Sequence, residues 1–399
     1  MTQTSWQELS PRSDTYFLSP QDVTLADRYE QWPKVVDLFS EKSTGIKTHR
    51  DGLVVGFTRE ELTARARQLC SPELSDEEVK QALRLKNTHN WSLRTARHEC
   101  DLNRLTRSIV PVSYRPFDSR WIMYDDVLID RPRREIMQHM LKPNVALCVG
   151  RAGQVVGNAA PWNVCWCSDS IEDFNFFYRG GNVNLPLYTY ESAGAAATGS
   201  LLIDAAGNEK ATRRSNLSPE AWKIITDFTD VSVLPEQLFA YVYAILCSPT
   251  YRERYADFLK SDFPRIPFTK DRDTFLKLAD LGQQLIDLHL MRSPELDNPI
   301  SRFCGKGDGA VTKVEYDGDR GRVSISPTQY FDGVTPDLWT YQIGGYQVLS
   351  KWLKDRRGRF LTSADTIHYS RIVTVVARTV DVQSQIDVTV KASELFVLQ

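Results

Sequence analysis

The motifs by which the commoner catalytic machines announce themselves are missing from this sequence. There is no G-x-x-x-x-G-K-[ST], so the phosphate cradle of a P-loop motor is not in this chain. Neither a G-x-S-x-G elbow nor an H-E-x-x-H pair occurs. No two prolines are adjacent. That excludes the Asn/Asp-Pro-Pro-aromatic loop with which amino-methylating DNA methyltransferases hold a flipped base. Gly150, Gly153 and Gly157 follow an apolar run but are spaced G-x-x-G-x-x-x-G, which reads as a strand ending in a glycine turn.

Other shortages narrow the class. No apolar run approaches the roughly 18 residues of a membrane span, and the polar first residues carry no signal-peptide pattern. The seven cysteines are scattered and odd in number, and only Cys165 and Cys167 are close, so neither a disulfide framework nor a zinc site is indicated. They read as reduced thiols in a cytoplasmic protein. The six histidines show no ligand spacing, and the acids near Asp169 and Glu172 lack the E-x-K of a metal nuclease. The net charge is only −2, so no global field draws the chain to a polyanion, and any anion site must be a local patch.

What is present is an ordinary globular balance, with 42% hydrophobic and 25% charged residues in 399. Residues 1–57 look irregular and extended. Thr58–Glu61 and Ser75–Glu78 match the capping box and predict short helices to about Leu69 and Leu85. Ser119–Tyr124 and Val145–Val149 read as strands. Small residues and Arg213-Arg214 make 191–216 a loop or linker. Helices are predicted over Pro235–Cys247, from Pro249 to about Leu259, over Asp273–Met291 and Tyr346–Arg356, and from Ser363 to about Asp381. Alternation around Asp317-Gly318 predicts a hairpin. The expected class is α+β: a β-rich unit over 1–190 and a more helical unit over 217–399, joined by 191–216.

Local basicity is the remaining signal. From 84 to 134 there are eleven lysines and arginines against six acids. Within this lies YRPFDSRWIMYDDVLIDRPRREIMQHML, residues 114–141, with five arginines among aromatics and paired acids. Further clusters are Lys47–Asp51, Tyr178–Gly181 and Lys351–Arg359. Long cations suit phosphates, and Arg, Asn and Gln suit base edges. Arg–Asp pairs can equally tie loops together. In the stretch itself, RPFDSRW reads as a structural corner with Arg115 and Asp118 as an internal pair. DRPRRE reads as the better phosphate contact, with Arg133 and Arg134 at a helix start.

Four ordered phrases carry a resemblance. TGIKTHRDGLVVGF (44–57), VSYRPFDSRWIMYDDVLIDRPRREIMQHML (112–141), YVYAILCSPTYRERYADFLKSDFPRIPF (241–268) and IGGYQVLSKWLKDRRGR (343–359) together resemble the C-terminal target-recognition region of Type ISP restriction–modification enzymes. The likeness runs from about Trp6 to about Asp387 and extends to related fused adenine methyltransferases. It implies a region that reads a short asymmetric duplex DNA sequence for a phage-defence system, without catalysis of its own. Partners would be a methyltransferase and helicase/nuclease domains, in the same polypeptide or as other subunits. S-adenosylmethionine, ATP and Mg would belong only to those catalytic parts.

On this reading Lys47, Arg50, Arg131, Arg133, Arg134 and Arg357 would contact phosphates. Arg179, Asn182, Arg213 and Arg214 would read bases or adjoining backbone, from less typical loops at 158–163, 179–184, 208–216 and 306–308. Two rivals remain: an adenine methyltransferase with a divergent catalytic loop, and a protein-docking subunit that never touches bases.

Overall fold

The computed structural model describes residues 23–157, 161–191, 213–227, 233–393 and 395–396. The chain is α+β, as expected, with three four-stranded sheets and a mostly helical C-terminal part. The first sheet has the strand order Val55–Gly56, Asp118–Met123, Ile109–Arg115, Ile171–Glu172. Its last pair is parallel, and the others are antiparallel. The second, wholly antiparallel, runs Ser43–Thr44, Val183–Pro186, Ala146–Val149, Cys165–Ser168. The third contains the predicted hairpin, with Asp317 paired to Arg322.

Local sequence accounts for most helix starts. Ser75 and Glu78 form a complete capping box. Thr58 caps Glu61 N, but the Glu61 carboxylate accepts from Phe57 N, so that box is only half made. Pro235–Cys247 and the Ser248-Pro249 start match the expectation. The last helix runs from Ser363 to Ala392, beyond the expected end near Asp381, because it keeps burying Val382, Ile386 and Val390. A helix over Val23–Glu30 lies in the stretch read as irregular; Tyr29 stacks on Tyr255 and so draws it onto the core. Pro235–Cys247 and Arg272–His289 cross closely at Gly282, where an added Cβ would sit 1.9 Å from the Ala240 carbonyl oxygen.

The predicted division at 191–216 does not follow the packing. Arg213–Ser215 pairs antiparallel with Tyr188–Tyr190, so the chain returns to the strand it left. Residues 192–212 of that segment lie outside the described residues. One large core holds Leu147, Trp166 and Leu185 together with Phe239, Leu285 and Val376, from both sides of the proposed linker. A smaller core joins the first sheet to the helices Arg59–Leu69, Asp76–Ala82 and Leu93–Glu99. Packing thus groups the strands by sheet, not by order in the chain.

Candidate nucleic-acid interface

Residues 172–174 organise the candidate face. Ile46 N donates to Glu172 O at 2.8 Å and Phe174 N to Ile46 O at 2.9 Å. The approach is close enough that a Cβ on Gly45 would lie 2.8 Å from the Asp173 backbone, so a side chain there would push the strands apart. Lys47 follows and exchanges both backbone hydrogen bonds with Arg131, at 3.1 and 2.9 Å. These two cations, distant in sequence, are therefore neighbours. The Lys47 ammonium lies 3.9 Å from the centre of the Phe174 ring and makes no ion pair among the described residues. Arg131 is exposed, with only a loose contact to Asp130 at 3.6 Å.

The same Phe174 ring meets the glycine loop. Gly180 has φ +88°, and a Cβ there would fall 2.0 Å from a ring carbon. This loop carries Arg179, which is exposed and has no acidic partner among the described residues, beside the exposed Tyr178 ring. Gly345 N donates to Phe177 O at 2.7 Å, and Tyr346 meets Tyr178 edge-on at 5.7 Å. Arg131, Lys47, Phe174, Arg179, Tyr178 and Tyr346 so form one continuous strip of cations and rings. Tyr178 belongs to the Tyr178–Gly181 cluster expected from the sequence; Phe174 and Tyr346 were not singled out there.

Beneath the strip lies a buried polar cluster. Glu172 accepts from Asn182 Nδ2 at 3.0 Å and Asn184 Nδ2 at 2.8 Å, and from the Cys148 thiol. Burial pushes Glu172 up to about 7, despite those donors. Burial likewise raises Asp173 to about 6, against the opposing charge of Arg115, which donates to it at 2.7 Å.

Several predicted contacts take other roles. Asn182 is 1% exposed and donates its Nδ2 to Glu172 and to the Asp173 carbonyl, a position that holds the loop. Arg50 is buried, donates to Leu128 O at 3.0 Å and stacks 4.5 Å from the Trp91 ring, a structural position. Arg134 does open a helix, Arg134–Met137, but both Asp126 carboxylate oxygens lie 2.7 Å from its Nε. Arg133 holds the left-handed position before that helix, φ 54°, and makes no ion pair. Arg213 and Arg214 lie on the separate hairpin, facing Glu236 and Glu191. Arg357 is exposed just beyond Val348–Lys354 and makes no ion pair among the described residues; no described contact joins it to the strip.

The less typical loops divide similarly. Asn158–Ala160 and 208–212 lie outside the described residues. Asn216 is buried and bonded to Glu41 and Pro186, while Lys306–Asp308 is exposed. The corner itself is real: Arg115 and Asp118 face each other in strand register across Pro116-Phe117. Their side chains do not pair. Arg115 takes Asp173, and Asp118 takes Arg120 and Arg356.

Fold and face together define a mixed α+β scaffold that presents cations and aromatic rings along one strip. The chain belongs to the Type ISP C-terminal specificity domain family, whose model matches residues 37–385. Solved structures share its fold, among them the following three. In the cryo-electron-microscopy structure of a DrdV–DNA complex, the match has a TM-score of 0.66 at 21% identity and covers 87% of this chain and 36% of that one. A nuclease-deletion mutant of the Type ISP restriction-modification enzyme LlaGI, in complex with a DNA substrate mimic, gives 0.65 at 20% identity, covering 96% and 30%. The ATP-dependent Type ISP enzyme LlaBIII bound to DNA gives 0.67 at 18%, covering 95% and 25%. The chain thus spans about a quarter to a third of those proteins. No curated protein matches it. Among the described residues no helix is long and apolar enough to cross a membrane.

Proposed function

We propose that this chain binds duplex DNA and recognises a short sequence in it, as the specificity part of a restriction–modification system. Methylation of adenine at N6, and cleavage, would be carried out by methyltransferase and nuclease parts in the same polypeptide or in other subunits. The observation that carries the reading is the strip itself. Lys47 and Arg131 are neighbours by backbone pairing, Arg179 joins them through Phe174, and among the described residues the only acidic contact of the three is the loose one of Arg131 with Asp130 at 3.6 Å. Charge-matched arginines tie a fold together; unmatched ones on a shared face are free for phosphates. Family membership supports the same reading.

Each phosphate neutralised releases counterions, so affinity falls with a log–log salt slope of about −0.9 per contact. Three contacts predict a slope of about −2.7. Titration of the chain onto a labelled duplex across a salt series measures it. Affinity indifferent to salt would overturn the proposal. Selection from a random duplex pool then tests recognition, with one enriched asymmetric motif expected.

A further inference from the structure

The sequence from Lys86 to Asn90 attracted no functional reading, yet the structure gives it an unusual setting. Thr88 and Trp91 close a two-residue turn, with Thr88 N donating to Trp91 O at 2.9 Å and Trp91 N to Thr88 O at 3.4 Å. His89 and Asn90 form the tip. Both are exposed, and neither makes a hydrogen bond or ion pair within the described residues. The turn is nevertheless held firmly. Trp91 Nε1 donates to Val127 O at 2.9 Å, the Arg50 guanidinium covers its ring, and Asn87 Oδ1 accepts from Leu93 N at 3.0 Å. A rigid base under unsatisfied polar side chains is what a reading element needs, because little entropy is lost when it docks.

Its position is equally specific. The turn forms one wall of a groove of about 590 Å³ whose other wall is Asp126–Arg131. Arg131 is the residue paired to Lys47, so the tip lies beside the cationic strip. The groove also holds Glu99, Asp126 and Asp130. Acids repel phosphate, but they accept from the exocyclic amino groups of cytosine and adenine. Asn side chains pair with adenine N6 and N7, and the major groove, about 12 Å wide, admits a two-stranded ribbon. Cations to one side and amino-group acceptors on the other match the order of backbone and base edges across a duplex.

We propose that the Thr88–Trp91 turn enters the major groove and that His89 and Asn90 contact base edges there, making them specificity-determining residues. The inference rests on the DNA-binding reading above and adds to it a reading element on the N-terminal helical side.

The test compares the unaltered chain with the double variant His89→Ala/Asn90→Ala. Both are used in selection from a random duplex pool, in titrations of the selected site and an unrelated duplex, and in thermal unfolding. The variant should unfold at the same temperature and bind the unrelated duplex with the same salt slope. It should lose preference at one or two adjacent positions of the motif, with affinity for the selected site falling roughly 5- to 150-fold. An unchanged motif would overturn the inference and leave the proposed function standing. Equal weakening on all sequences would also overturn it, by making the turn a phosphate contact. Absence of any motif with the unaltered chain would instead remove the recognition function itself, and the turn's role with it.

Discussion

Asp118 accepts a hydrogen bond at 2.9 Å from Arg356, 238 residues further along the chain. Both side chains are buried, and Arg120 bridges Asp118 to Asp355 at 2.6 and 2.9 Å. The Arg356 guanidinium also lies 3.4 Å from the centre of the Trp352 ring. Burial alone would raise Asp118; the charges of Arg120 and Arg356 more than reverse this and hold it below the ordinary carboxylate range. Two of the four family phrases thus meet in one ion cluster, as scaffold. Arg120 and Arg356 are used up in holding the β-hairpin at 109–123 against the helix Val348–Lys354 and the turn beyond it.

Removing the shared acid should therefore destabilise the fold. Asp118→Ala leaves the buried Arg356 with only the distant Asp365, at 4.0 Å, as counter-charge, and losing the close partner of such a pair costs about 3–5 kcal/mol. Urea denaturation measures it. A loss below about 1 kcal/mol would place the cluster with exposed ion pairs.

Lys47→Ala/Arg131→Ala should leave stability almost unchanged, since among the described residues Lys47 makes no ion pair and Arg131 only an exposed one with Asp130 at 3.6 Å. Binding to every duplex should weaken alike, and the salt slope should become less steep by about 1.8. A shifted sequence preference at constant slope would assign these residues to bases instead.

Asn182→Ala should act through stability first. It strips a donor from the buried Glu172 and frees the loop that carries Arg179. Leaving a buried partner unsatisfied costs about 1–3 kcal/mol. Chemical denaturation reports this, and binding measured well below the unfolding transition should retain the motif.

The pH dependence of stability has a definite sign at Glu172. Its folded value of about 7 lies above the ordinary 4.5, so between the two the folded chain holds a proton the unfolded chain has released. The stabilisation is full below about 4.5 and is lost as pH rises to about 7. Asp173 adds a change of the same sign. His289, buried and lowered to about 3, opposes them, since its burial as a neutral ring costs stability as pH falls. The comparison that isolates Glu172 is with Glu172→Gln, which should flatten the decline between pH 4.5 and 7. Parallel stability–pH curves for the two proteins would contradict this origin.

Much of the local structure was legible because its causes are local. Ser75–Glu78 and Ser248-Pro249 start helices through bonds that span three residues. The hairpin at Asp317 and the corner at Pro116-Phe117 follow from turn chemistry. Side-chain partners were much less legible. Arg115 and Asp118 are opposite each other in register, yet each finds a better-buried partner elsewhere. Asn182 and Arg50 carry the right chemistry for DNA and are spent inside the fold. The pairing of Tyr188–Tyr190 with Arg213–Ser215 joins residues more than twenty positions apart, which local patterning does not reveal.

By itself the sequence determined the class, the helix starts, the family phrases and the lack of the familiar catalytic motifs, because each depends on neighbours within a few positions or on residue identity. Only the tertiary structure decided which cations remain free. That depends on which acid or carbonyl lies within about 3 Å after folding, and for Arg356, Arg115 and Arg50 that partner is set by packing. The same packing placed Lys47 against Arg131 and left His89 and Asn90 bare at the end of a rigid turn.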